Sequence, residues 1–116
     1  MIGDGSSVRT ASRRVKIPLV TVFHIAERRS WEEQKASGRY RHPSLDSEGF
    51  IHCSDEGQVA RTLARFFPGR TDLVLLEIDP ERLTSELHYE EGEPGELFPH
   101  LYGPLNVDAV VRELVL

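Results

Sequence analysis

Three of the five histidines lie in segments whose residue types could support chemistry. His24 lies in a short apolar stretch, His52 is two residues before Ser54, and His100 is two residues before Tyr102. An imidazole exchanges its proton near neutral pH, so a histidine in a cleft can act as a general acid, a general base or an orienting group. We therefore expect His24, His52 and His100 to be the catalytic candidates of this chain.

His24, Ser54 and Tyr102 are candidates for ligand binding. Ser54 is predicted to begin a helix, and the free backbone amides at that end could meet an anion. It is equally well explained as a helix cap. Tyr102 could stack on a flat ligand or close the core. His24 could be a structural residue whose ring is hydrogen bonded within a strand.

Other kinds of site are disfavoured by spacing. Cys53 is next to His52, and adjacent side chains of a strand point to opposite faces, so we expect Cys53 in the core and no Cys–His nucleophile pair. No short-spaced pair of ligands has a zinc pattern. Four acids resemble a metal cluster but lie around Gly92 and Pro94, which favours a solvated loop: Glu90, Glu91, Glu93 and Glu96. We predict no metal site.

Composition restricts the class of protein. The chain has 116 residues, of which 39% are hydrophobic and 28% are charged, as in an ordinary globular domain. It has one cysteine, no apolar run of the ~20 residues that a membrane span needs, and no secretory signal pattern. We therefore predict a cytoplasmic protein without a membrane partner.

Charge divides the chain into two parts. Residues 1–16 carry four basic side chains against Asp4, a balance of +3, so the overall −5 leaves −8 for the remainder. We predict a disordered basic leader over residues 1–16 and a single domain over residues 17–116. Nucleic-acid binding needs clustered Lys and Arg, so an acidic body argues against a nucleic-acid partner.

Local patterns predict two main helices and six strands. A capping-box pattern beginning at Ser30 predicts a helix over residues 31–37, with Gly38 as its end. An apolar stripe of Val59, Leu63, Phe66 and Phe67 predicts a second helix over residues 55–67. Residues 39–48 and 91–96 are predicted loops. Strands are predicted at residues 19–25, 50–52, 73–78, 87–90, 97–102 and 109–116. This order indicates an α+β domain with helices on a largely antiparallel sheet.

Several segments, taken together, resemble a known family. They include Phe23-His24-Ile25, Glu48-Gly49-Phe50-Ile51-His52-Cys53-Ser54 and Phe98-Pro99-His100-Leu101-Tyr102-Gly103-Pro104-Leu105-Asn106. These segments look like the domain of unknown function family 952, over roughly residues 19–116. Members of that family resemble the ADP-ribosyltransferase fold, a split, mainly antiparallel sheet whose cleft holds NAD in true transferases.

That resemblance implies roles for individual residues. Such enzymes use a first-strand histidine to hold a ribose hydroxyl, a position matched here by His24. A Tyr or Ser on the next motif strand supports the nicotinamide end, and His52 or Ser54 falls there. A late Glu stabilises the positive charge that develops as nicotinamide leaves. The late block of this chain offers His100 instead, with Glu90 as a weaker candidate.

Three functions remain open at this point. The first is a transferase or hydrolase that acts on NAD or a related nucleotide, with His24 and Ser54 binding ribose or phosphate and His100 as general acid or base. The second is a non-catalytic module that binds a nucleotide or another anionic small molecule. The third is a structural or partner-binding domain. Fold alone does not decide among them.

Overall fold

The computed structural model describes residues 21–116, which form a mixed α+β fold. The strands are β1 (Val22–Glu27), β2 (Arg39–Tyr40), β3 (Ile51–His52), β4 (Ser54–Asp55), β5 (Leu73–Ile78), β6 (Glu86–Glu93), β7 (Glu96–Tyr102), β8 (Leu105–Asn106) and β9 (Val110–Val115). The helices are α1 (Arg28–Gln34), α2 (Ser44–Ser47) and α3 (Val59–Phe66). Short 3-10 turns occupy Lys35–Ser37, Glu56–Gln58, Pro80–Arg82 and Val107–Ala109.

The strands form three sheets, and the recorded strand pairs are antiparallel. A four-stranded sheet has the order β4-β1-β5-β9, and a three-stranded sheet has the order β3-β7-β6. β2 and β8 form a two-stranded ribbon. The predicted α+β class with a mainly antiparallel sheet is therefore confirmed.

The four-stranded sheet buries both of its faces, which explains the nearly continuous apolar sequence of β5. Leu73 and Leu75 pack with Phe23, Ile25 and helix α3 on one face. Alternate β5 residues face a second core that the small sheet and the ribbon also line, formed by Val22, Ala26, Trp31, Tyr40, Ile51, Cys53, Val74, Leu76, Ile78, Leu101, Leu105 and Ala109. A strand covered on both sides needs apolar residues at consecutive positions, as predicted for residues 73–78.

The chain crosses from the small sheet to the large sheet at Cys53. Ile51 and His52 pair with β7, whereas Ser54 pairs with Phe23 of β1. The backbone amide of Cys53 donates to the carbonyl of Pro99 at 3.0 Å. This crossing brings the His52 segment close to β1, where His24 lies.

The first helix begins earlier than its sequence pattern predicted. Helix α1 follows β1 directly at Arg28, with Glu27 as its N-cap, so the predicted capping box at Ser30 is wrong. The Ser30 hydroxyl instead accepts a hydrogen bond from the Gln34 side chain at 3.0 Å. Gly38 ends the following 3-10 turn in the left-handed conformation, as predicted.

Ser54 is a strand residue and does not cap the second helix. Asp55 is the N-cap of the 3-10 turn that leads into α3, and it forms a capping box with Gln58. Phe66 also departs from the predicted apolar stripe, because 61% of its surface is exposed. Val59, Leu63 and Phe67 alone pack against the sheet.

Both predicted loops contain regular structure. Residues 39–48 include strand β2 and helix α2, and residues 91–96 close the β6–β7 hairpin. Glu93 pairs directly with Glu96, so only Pro94 and Gly95 form the turn. Gly95 adopts the positive φ of 79° that such a tight turn requires. Alternation along β6 was obscured by its many acidic residues and by a bulge between Glu91 and Glu93.

The predicted basic leader, residues 1–16, lies outside the described residues, as do residues 17–20. In the part of the chain that is described, no helix has the length and apolar character required to cross a membrane.

Candidate functional site

A cavity of about 600 Å³ opens where the two larger sheets and helix α3 meet. Its lining combines imidazoles, aromatic rings and carboxylates: His24, His42, His52 and His100; Phe50, Phe66, Phe67 and Phe98; Glu48, Glu91 and Glu93. No Lys or Arg of residues 21–116 belongs to this lining. The cavity is large enough for a small organic ligand and offers rings to stack on and groups that can transfer protons.

His24 is part of the framework of the cavity. It is 3% exposed, its Nδ1 donates to the His52 carbonyl at 2.7 Å, and its Nε2 accepts from the Tyr40 hydroxyl at 3.0 Å. Burial lowers the pKa of His24 to about 4, so the ring is neutral near pH 7. Because both nitrogens bind protein atoms, His24 ties β1 to the β3 segment and offers no free nitrogen to a ligand.

His100 is held in one orientation by two neighbours. Its Nδ1 donates to the Glu90 carboxylate at 2.8 Å, and its ring stacks on Phe50 with centroids 3.9 Å apart. The register of β6 and β7 places Glu90 opposite Phe98, on the same face as His100. The Tyr102 hydroxyl donates to the same carboxylate at 2.5 Å, and these two hydrogen bonds lower the pKa of Glu90.

The Nε2 atom of His100 remains available. It has no hydrogen-bond partner among residues 21–116, and the ring that carries it lines the cavity. A neutral imidazole that donates through Nδ1 carries a lone pair on Nε2. His100 can therefore accept a proton from a ligand in the cavity.

His52 forms a second carboxylate-paired imidazole beside the first. Its Nε2 lies 3.1 Å from both oxygens of Glu48, and its ring centroid is 5.6 Å from that of His100. The two residues are direct cross-strand partners on β3 and β7. The side chain of His52 is half exposed, so it lies at the open side of the cavity.

Ser54 and Cys53 complete the wall on the α3 side. Both are buried, and the Ser54 hydroxyl is 3.5 Å from that of Thr62. Burial raises the pKa of the Cys53 thiol to about 12, which keeps it protonated near neutral pH. The expected core position of Cys53 agrees with this environment, although its atoms also touch the cavity.

The family model "Protein of unknown function (DUF952)" matches residues 25–113. The chain belongs to this family. Protein CC0527 from Caulobacter crescentus, in a crystal structure, is 39% identical in sequence to this chain. The two structures match with a TM-score of 0.74, over 80% of this chain and 82% of that chain. A solution NMR structure of CC0527 has 39% identity and a TM-score of 0.72, over 83% and 84% of the two chains. No protein with a curated description matches significantly.

In this DUF952 domain, four of the five residues selected from the sequence line one cavity, namely His24, His52, Ser54 and His100. Tyr102 does not line it. Its side chain lies on the same face of β7 but is bound to Glu90, and its ring is 5.4 Å from Phe50. Tyr102 therefore reaches the site indirectly, through the carboxylate that orients His100.

Sequence reasoning missed His42 and the pairing of Glu90. His42 lies between β2 and α2, in a segment predicted as loop, and lines the cavity with its ring centroid 5.6 Å from that of His24. Glu90 was only a weaker candidate for the late Glu, because its partner is fixed by the register of the hairpin. Within residues 21–116 no group of three or more His, Cys, Asp or Glu is arranged to hold a metal ion.

Proposed function

We propose that this cavity is the active site of a transferase or hydrolase that cleaves the N-glycosidic bond of NAD or a related nucleotide, on a fold similar to that of ADP-ribosyltransferases. The observation that carries the proposal is the Glu90–His100 pair at a cavity with aromatic walls. A carboxylate that fixes the tautomer of an imidazole, with the second nitrogen free, is a recurrent arrangement for general-base catalysis.

The lining of the cavity fits the base of such a nucleotide better than its phosphates. Phe50, Phe66 and Phe98 offer surfaces for a planar base, whereas the absence of Lys and Arg among the described lining residues disfavours phosphates inside the cavity. A shallower groove of about 230 Å³ adjoins it and contains Arg61 and Arg65, which are paired with Glu96 and Glu93. The proposal therefore places the base and ribose in the cavity and the phosphates outside it.

Several residues at the cavity then have a definite role. Bound NAD would supply the scissile bond between ribose and nicotinamide. His100 accepts through Nε2 the proton of the attacking water or hydroxyl, and Glu90 stabilises the resulting imidazolium. The carboxylate of Glu48 lowers the energy of the positive charge that develops on the ribose. His24 acts by positioning the His52 segment.

Nicotinamide release from NAD, measured by chromatography, tests the proposal. The wild-type domain is expected to release nicotinamide above the uncatalysed rate. Replacing His100 by Gln should reduce the rate about 10²- to 10⁴-fold, which is the usual contribution of a general base. Glu90→Gln should reduce it less, since the base remains but loses its orientation.

His88→Gln is the matched control. His88 lies on the adjacent strand directly opposite His100 and is paired with Glu86, but it does not line the cavity. Its replacement should leave the rate unchanged. A wild-type domain that releases no nicotinamide, or a His100→Gln variant of undiminished rate, would refute the enzymatic proposal.

A non-catalytic nucleotide- or anion-binding module is the second candidate. It is favoured by the engagement of both His24 nitrogens with protein atoms, because a first-strand histidine without a free nitrogen cannot hold a ribose hydroxyl. In that case NAD, ADP-ribose or a phosphorylated nucleotide should raise the melting temperature without being cleaved. A purely structural domain would show neither effect.

A further inference from the structure

His42 occupies a place in the cavity wall that makes it a defined hydrogen-bond donor. It is partly buried and lines the cavity, and its Nδ1 atom is 3.0 Å from the backbone nitrogen of Ser44 and 2.9 Å from the Ser44 hydroxyl. A backbone N–H can only donate, so its contact makes Nδ1 of His42 an acceptor, and the Ser44 hydroxyl shares its single proton between this nitrogen and the Phe50 carbonyl. The proton of the neutral ring is then on Nε2.

The surroundings keep this donor fixed and uncharged. Ser44 is buried, begins helix α2, and donates through its hydroxyl to the Phe50 carbonyl at 2.7 Å, so the group that holds His42 is itself held. Burial is the main cause that lowers the pKa of His42, and the nearby His52 adds to it. The Nε2–H group has no hydrogen-bond partner within residues 21–116, and the ring that carries it lines the cavity.

We propose that the Nε2–H of His42 forms a subsite for an uncharged carbonyl oxygen, and that the cavity selects ligands whose planar ring carries a carboxamide. The proposal rests on the proposed function, because it names the group that the cavity recognises on the base of the substrate. A neutral donor gains less from an anion than a charged donor would. The lining carboxylates Glu48, Glu91 and Glu93 repel carboxylate and phosphate groups, and the phenylalanine rings accept the flat ring.

Two pyridines, one with a carboxamide and one with a methyl group in its place, test this subsite. Nicotinamide carries the carboxamide, and 3-methylpyridine keeps the ring without it. Wild-type protein should bind nicotinamide about five- to tenfold more tightly, the fold-change expected for one net hydrogen bond. In His42→Phe the ratio of the two affinities should fall to about one. His42→Gln, whose amide can donate from a similar position, should retain part of the preference.

Nuclear magnetic resonance on the wild-type protein provides a readout that does not depend on how the variants fold. Long-range ¹H–¹⁵N spectra of the imidazoles should show Nε2 of His42 protonated and Nδ1 unprotonated at pH 7. Nicotinamide should shift the Nε2 signal of His42 more than 3-methylpyridine does. A proton on Nδ1, no preference for nicotinamide in the wild type, or an unchanged preference in His42→Phe would overturn the subsite.

The two proposals fail in different ways. If nicotinamide is released from NAD but the His42 variants keep their preference, the enzymatic proposal stands and the subsite is wrong. If the preference depends on His42 and no nicotinamide is released, the cavity binds carboxamides without this chemistry, and the subsite stands alone.

Discussion

The four cavity histidines differ in what their ring nitrogens are free to do. Both nitrogens of His24 are bound to protein atoms, whereas His42 and His100 each have one bound nitrogen and an Nε2 that has no partner among residues 21–116. The bound partner decides the chemistry, because a backbone amide makes the free nitrogen of His42 a donor and a carboxylate makes that of His100 an acceptor. Residue type alone does not distinguish these roles.

Because His24 is buried and neutral, we predict that the free energy of unfolding decreases in mild acid. Its pKa is about 4 in the folded state and 6.5 when the ring is in water, so the unfolded chain binds a proton that the folded chain excludes between these values. The stabilisation is fully present above pH 6.5 and is lost as the pH falls towards 4. A full shift of this size corresponds to on the order of 3 kcal/mol in the free energy of unfolding.

Urea denaturation at pH 7.5 and at pH 4.5 measures this effect. His24→Gln should be less stable than the wild type at pH 7.5, because the Tyr40 and His52 hydrogen bonds are disturbed, but should lose less stability between the two pH values. His88→Gln, whose side chain is about half exposed, should retain the wild-type dependence. An equal dependence in wild type and His24→Gln would show that another group is responsible.

At the scale of elements, the β6–β7 hairpin builds the wall that carries His100 and Phe98. Gly92 lies at the bulge of β6, where an added Cβ would be 2.7 Å from Cδ1 of Phe98. Such a contact is closer than packed atoms allow, so the Phe98 ring occupies the space that a side chain at position 92 would need. A glycine at this position therefore fixes the place of a cavity wall.

Gly92→Ala should displace Phe98 and destabilise the domain by about 1–3 kcal/mol, the usual cost of overpacking. The matched control is Gly57→Ala, because a Cβ at Gly57 meets no atom within 4 Å and its φ is not positive. Thermal unfolding of both variants gives the comparison. Equal melting temperatures for the two variants would mean that Phe98 has room to move.

At the scale of the whole molecule, the cavity exists because the chain passes from one sheet to another. Cys53 is the residue at this crossing, 4% exposed and packed in the core shared by the sheets. The segments that carry His24 and His52 are joined through the hydrogen bond between them. Separation of the sheets would therefore expose Cys53 and open the cavity together.

Cys53 should therefore report on global unfolding. Burial raises its pKa from 9.0 to about 12, which reduces the reactive thiolate about a thousandfold at pH 8. Labelling by a disulfide reagent is expected to be slow in native buffer and to accelerate with urea in parallel with unfolding measured by tryptophan fluorescence. Labelling of the native protein as fast as that of free cysteine would contradict the burial of Cys53 in the folded state.

The α+β class, the limits of β5 and, nearly, those of β7 could be predicted from the sequence, because these depend on apolar runs of definite length. It also selected His24, His52, Ser54 and His100, since unusual residue types in apolar segments are visible without coordinates. The approximate position of α3 followed from its spacing of Val59 and Leu63.

The cap of the turn before α3, the partner of His100 and the orientation of His42 could be read only from the three-dimensional structure, because they depend on residues far apart in the chain. Asp55 rather than Ser54 caps the 3-10 turn that leads into α3, because strand β4 extends through both residues and the turn begins only after Asp55. The pairing of Glu90 with His100 follows from hairpin register, and the orientation of His42 depends on Ser44 and helix α2. Local patterns cannot encode such partners, because register and sheet crossing are set by packing of the whole core.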